Sequence, residues 1–138
     1  MARMGDMNEG LHNIIIPHEI NDPKKPKRPK INLGKIEFES VHFKYEENSG
    51  IFSDFNLEIN LGKKIGLVGH SGGGKTTLTK LILRLMDPQS GSIKIDDQDI
   101  KSITQENLRK NIAFVPQEPI LFHRTLRENI LYGDTIEI

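Results

Sequence analysis

No cysteine occurs in the 138 residues, which excludes disulfides and thiolate metal sites and leaves the redox compartment unread. Neither sign of charge predominates. The 19 basic and 19 acidic residues cancel to a net charge of zero, so no global field points to nucleic acid as a partner. Long apolar runs are missing too: the longest, such as Ile14 to Ile16, fall far short of the roughly 20 residues that cross a bilayer, so the chain as given carries no membrane span. The first residues lack the charged, apolar and cleavage regions of a secretory signal. The length gives room for one domain of ordinary size.

What is present is a glycine-rich loop. Gly69-His70-Ser71-Gly72-Gly73-Gly74-Lys75-Thr76 fits G-x-x-x-x-G-K-[ST], the phosphate-cradling loop of nucleotide-hydrolysing proteins. Glycines let successive backbone N–H groups turn inward around phosphate oxygens, because without a Cβ the chain takes positive φ and approaches the ligand closely. The following helix points its positive dipole end at the same anion. In this chemistry Lys75 spans the β- and γ-phosphates, the Thr76 hydroxyl ligates Mg²⁺ and Thr77 donates to the α-phosphate. The context agrees. Lys64-Ile65-Gly66-Leu67-Val68 reads as a buried strand feeding the loop, and Leu78, Leu81, Ile82 and Leu85 place one apolar stripe on a helix running to about Met86.

Around the loop the chain divides by composition. Residues 1 to about 33 include Met7, Leu11, Ile14 and Ile15 at helical spacing, closed by Pro17, and then Asp22-Pro23-Lys24-Lys25-Pro26-Lys27-Arg28-Pro29-Lys30. A proline at every third position there favours an extended, solvated linker. From Lys35 the period becomes two: Ile36 and Phe38 on one parity, then Val41, Phe43 and Tyr45 on the other, which requires a β-bulge near Ser40. A turn over Glu46 to Gly50 leads to a second strand marked by Phe55, Leu57 and Ile59. Further on come a strand at Ser92-Ile93-Lys94-Ile95, a helix over Thr104 to Lys110, a buried strand over Ile112 to Val115 and a helix from Thr125 to Ile130.

Three stretches resemble the nucleotide-binding domain of ATP-binding cassette transporters, exporter branch: Val41-His42-Phe43-Lys44-Tyr45, the adenine-stacking loop; Gly69 to Thr77, the phosphate loop; and Val115-Pro116-Gln117-Glu118, the glutamine loop. Leu121-Phe122 and Leu126 through Gly133 are similar to the exporter pattern after that glutamine, and His18 to Asp22 to the segment joining membrane domain and cassette. The resemblance implies an α/β P-loop NTPase cassette, incomplete, with an antiparallel β subdomain and the start of the parallel-sheet core. It implies a linker over residues 1–33 and the N-terminal part of the ATPase domain over 34–138. It assigns nucleotide binding to Tyr45, Gly69, Ser71, Gly72, Gly73, Gly74, Lys75, Thr76 and Thr77, catalysis to Lys75 and Gln117, and Mg²⁺ to Thr76 and Gln117. ATP and Mg²⁺ are the implied cofactors. The implied partners are the transmembrane domain of the same transporter and a second cassette in a head-to-tail dimer, at the cytoplasmic face of a membrane. Residues 121 to 130 would help receive the coupling helices of the membrane domain.

Where the chain departs from the family, expectations change. His70 stands where proline is usual, at a variable position of the loop. The signature segment, the acidic Mg²⁺-holding strand, the catalytic glutamate and the switch histidine do not occur by residue 138. The segment alone is therefore expected to hydrolyse nothing, and the alternative reading is a truncated chain that holds nucleotide weakly or not at all. Asp96, Asp97 and Asp99 lack the spacing of a calcium loop and read as turn chemistry, and the five histidines lack the spacing of a zinc helix. A P-loop switch or kinase of another class is disfavoured: no Asn-Lys-x-Asp run appears, and Tyr45 and Gln117 would go unexplained.

Overall fold

The period-two segments pair into one antiparallel sheet in the computed structural model, which describes residues 20–45, 50–116 and 121–132. Strands β1 (Ile36–Lys44), β2 (Gly50–Ile59), β3 (Ser90–Ile95) and β4 (Gln98–Asp99) lie in the order β2-β1-β3-β4. The expected bulge is present. The register of β1 slips between Phe38 and Val41 against β2, and between Glu39 and His42 against β3. Ser40 takes φ 45°, and its N–H is satisfied by Asn56 Oδ1 at 2.8 Å. Gly91, at φ 84°, passes so close beneath that a Cβ would strike the Ser40 carbonyl, so bulge and glycine form a matched pair.

The switched parity aims Phe38, Val41 and Phe43 at one core with Ile93 and Ile95 of β3. Helix α1 (Lys75–Ile82) adds Leu78 and Leu81, a 3₁₀ turn (Ile100–Ser102) adds Ile100, and helix α2 (Gln105–Arg109) adds Leu108. Helix α2 is capped by the Thr104 hydroxyl, which accepts from Asn107 N. Helix α3 (Leu126–Ile130) begins with a capping box between Thr125 and Glu128 and buries none of its residues.

Helix α1 stops at Ile82, four residues before the expected end. Leu83 caps it and Arg84 turns left-handed, with φ 50°. That turn moves Leu83 inward and leaves Leu85 49% exposed, so the stripe over Leu78, Leu81 and Ile82 does not continue to Leu85. Its cause is the buried Arg84 side chain. The guanidinium donates to the carbonyls of Ile103 and Asn21, each at 2.9 Å, and pairs with Asp87 at 3.3 Å and Asp22 at 3.6 Å. Arg109 donates to the Leu83 and Arg84 carbonyls at 3.0 Å, covering the helix end with positive charge.

Two expected strands do not form. Residues 64–68 and 112–115 carry no ladder; Val68 is 98% and Val115 85% exposed. Apolar strands of a parallel sheet need a paired neighbour and cover on both faces; among the described residues neither segment is paired, and Ile112 alone of them packs against the core. The linker is largely exposed from Asn21 to Lys35, but it is also tied to the fold at several points. Lys27 N bonds to Ser102 O at 2.8 Å, and the Gln98 side chain grips Arg28 O and Lys30 N. The apolar positions Met7 to Ile15 and the turn residues 46–49 lie outside the described residues.

Candidate functional site

The phosphate loop connects the extended segment after β2 to the first turn of α1. Gly72 and Gly74 both take φ 82°, which only glycine adopts without strain, and Gly74 is the residue from which the helix starts. It is also buried: a Cβ there would lie 2.8 Å from Ile51 Cγ2 and 3.1 Å from the Phe52 ring. The loop is thus seated on β2. Gly73 N donates to His70 O at 3.1 Å, closing the turn. Lys75 Nζ donates to the carbonyls of Gly69 and His70, both at 2.8 Å, which holds its charge over the loop. No acidic residue occupies the first turn of α1, so the dipole end and Lys75 make this glycine-rich loop locally positive. Gly69, Ser71 and Thr76 are exposed, whereas Thr77 is buried.

Tyr45 meets this loop from β1. Its hydroxyl lies 3.1 Å from Thr77 Oγ1, its ring stands edge-on to Phe43 at 5.1 Å, and the Lys80 ammonium sits 5.9 Å from its centre. The ring is 47% exposed, leaving aromatic surface for a planar ligand. Of the residues proposed from sequence, Gly69 to Thr77 are continuous at the start of α1, and Tyr45 reaches them through Thr77. Gln117 lies outside the described residues. The Tyr45–Thr77 contact was not foreseen, and no spacing rule reveals it, because it depends on where β1 ends relative to α1.

A larger cleft, of about 640 Å³, lies elsewhere, between Lys27, Arg28 and Lys30 of the linker and the turn at Asp96. The carboxylates of Asp96 and Asp99 there are engaged internally. Burial alone would raise Asp96, but N–H donation from Leu33, Gly34, Asn32 and Lys35 outweighs it and holds the carboxyl at about 2. Asp99 accepts from Lys101 N at the start of the 3₁₀ turn. Among the described residues no group of three His, Cys, Asp or Glu is placed to hold a metal ion. Asp96 and Asp97 take left-handed backbone in the turn between β3 and β4, and Asp96 also fastens residues 32–35.

The ABC transporter family model matches residues 52–137, which include the phosphate loop. The chain belongs to the ABC transporter family. It is 44% identical over 128 residues to ATP-binding cassette sub-family B member 6 of Xenopus tropicalis, covering 93% of this chain and 15% of that protein. It is 41% identical over 131 residues to the human mitochondrial iron-sulfur clusters transporter ABCB7, covering 94% and 17%. A bacterial Atm1-family ABC exporter solved with ATP bound superposes at a TM-score of 0.84 with 36% identity, over 93% of this chain and 23% of that one. The fold is a partial cassette of the P-loop NTPase class, and the chain spans less than a quarter of each of these proteins. Family members are ATPases, and these relatives are membrane transporters; among the described residues no helix is long and apolar enough to cross a membrane.

Proposed function

We propose that this chain is the ATP-binding part of an exporter in which ATP binding and hydrolysis drive transport across a membrane. One observation carries the reading: left-handed Gly72 and Gly74, the second seated on β2, opening α1 beside a Lys75 ammonium held on the loop carbonyls. The loop N–H groups from Gly69 to Gly74, with Ser71 among them, hold phosphate oxygens. Lys75 lends its charge to the β- and γ-phosphates, the exposed Thr76 hydroxyl offers a ligand to Mg²⁺, and Thr77 serves the α-phosphate. The Tyr45 ring stacks on adenine. Bound MgATP supplies the transferable phosphoryl group and the charge that neutralises it. Gln117 is assigned to Mg²⁺ and the attacking water on resemblance alone.

The exporters among the relatives support the remaining assignments. Residues 1–33 are the linker from a membrane domain, and 34–138 part of the cassette on its cytoplasmic face. The partners are that membrane domain and a second cassette arranged head to tail, not nucleic acid. Hydrolysis needs a positioned base and a fully held metal besides a phosphate cradle, so residues 1–138 by themselves bind without turnover.

Phosphate release from MgATP tests this reading. The transporter carrying this sequence is expected to release phosphate, and Lys75→Ala to abolish that release. Release insensitive to Lys75→Ala would sink the site assignment, and Lys75-dependent turnover by residues 1–138 alone would sink the claim of inactivity.

A further inference from the structure

Gln89, immediately before β3, belongs to none of the sequence motifs, yet it controls the end of β1. Its backbone N–H donates to His42 O at 3.0 Å. Its side-chain Nε2 donates to Lys44 O at 2.9 Å, and its Oε1 accepts from Lys44 N at 3.0 Å. The ladder between β1 and β3 ends at the His42–Ser90 pair. A single glutamine thus carries the pairing two residues further, its amide taking the place that a strand backbone would fill. Both polar backbone groups of Lys44 are fixed by it, and Lys44 is the residue that delivers Tyr45.

Tyr45 touches the edge of Phe43 and the Thr77 hydroxyl at its rim and has the Lys80 ammonium over its ring, and it borders a cleft of about 240 Å³ that Gln89 also lines. The direction of the ring therefore depends on the backbone that Gln89 pins. The Gln89 hydrogen bonds run to His42 and Lys44, away from the glycines and Lys75. Resting on the reading that Tyr45 stacks on adenine, we infer that Gln89 is the positioning residue of the base subsite. It fixes the strand end from which the ring projects, and so contributes to affinity for the base and not to affinity for the phosphates.

Two ligands separate these contributions: MgATP, and magnesium tripolyphosphate, which has no base. Each is titrated into the purified unmutated chain and its Gln89→Ala, Gln89→Glu and Tyr45→Ala variants, with circular dichroism to compare their folds. Losing the paired hydrogen bonds is expected to weaken MgATP about three- to tenfold in Gln89→Ala. Tripolyphosphate affinity is expected to stay within about twofold, since Gln89 makes no bond to the loop. Gln89→Glu keeps the shape and the acceptor but loses the donor to Lys44 O, so it shows the same selective loss and decides the matter if the alanine variant does not fold. If Tyr45→Ala weakens MgATP while both Gln89 variants leave it unchanged, the positioning role is overturned and the stacking assignment stands. Equal weakening of both ligands also overturns it, because Gln89 would then act on the fold at large. If Tyr45→Ala leaves MgATP binding intact, or the unmutated chain shows no saturable binding, the underlying reading falls and the inference falls with it.

Discussion

The sheet and the segments over residues 64–68 and 112–115 are alike apolar in sequence and opposite in structure. Phe38, Val41, Ile93 and Ile95 are at most 3% exposed, whereas Val68 is 98%, Val115 85% and Ile65 51%. The difference lies in where each strand finds its partners. Strands β1 and β2 are sequence neighbours and close their own hydrogen bonds, and β3 returns to β1 after a single helix. A parallel strand has no such local solution and waits for strands from elsewhere in the fold. An apolar run therefore states that burial is wanted, not that the chain can supply it.

The largest effect that sharpens this contrast is a pair of truncations followed by urea unfolding. Phe38→Ala empties a filled core site and is expected to cost about 3–5 kcal/mol. Val68→Ala in the same chain is expected to fall within about 0.5 kcal/mol, as for an exposed position. A comparable loss from the two would erase the distinction between the regions.

Smaller is Asp96→Asn, which replaces a carboxylate receiving four backbone N–H groups by an amide with one accepting oxygen. A cost of about 1–3 kcal/mol is expected, felt first as faster tryptic cutting in the linker at Lys24 to Lys30. The pH dependence has a definite sign. The folded carboxyl titrates at about 2 against 3.8 for the free group, so its contribution is complete above pH 3.8 and fades as the pH falls toward 2. Acid unfolding curves of the native and Asp96→Asn chains should therefore converge in that window. Parallel curves would mean that Asp96 does not hold the linker.

Smallest is Thr125→Ala, which removes the cap of α3 and is expected to cost about 1 kcal/mol locally. Because α3 buries none of its residues, amide exchange should quicken over residues 126–130 and remain unchanged in β1 and β3. Quickened exchange in the sheet would mean that α3 is coupled to the core after all.

Sequence alone was a good guide where chemistry is local. The parity change from Phe38 to Val41 required the bulge at Ser40, Thr104 and Thr125 marked two helix starts, and the glycines of the loop announced positive φ and close approach. It failed where one distant contact overrides a pattern. Leu85 fits the helical stripe of α1, but buried Arg84 needs acceptors on the linker and beside Ile103, and turning toward them ends the helix. Pro26 and Pro29 spoke against a regular element, and the segment over residues 26–30 carries neither helix nor strand. That Gln98 and Asp96 dock it could not be read from the linker's own residues, since the partners lie more than 60 positions away. The candidate site was legible through its glycines and Lys75; the Tyr45–Thr77 contact and the Gln89 clamp were not, because both depend on how β1 ends.

Titration calorimetry of MgATP into the purified chain, beside Lys75→Ala and Asp97→Ala, tests the central claim most directly. Saturable binding that disappears in Lys75→Ala and is unchanged in Asp97→Ala is the predicted result. Binding that survives Lys75→Ala, or is lost instead on changing Asp97, would contradict the placement of the nucleotide on the glycine loop.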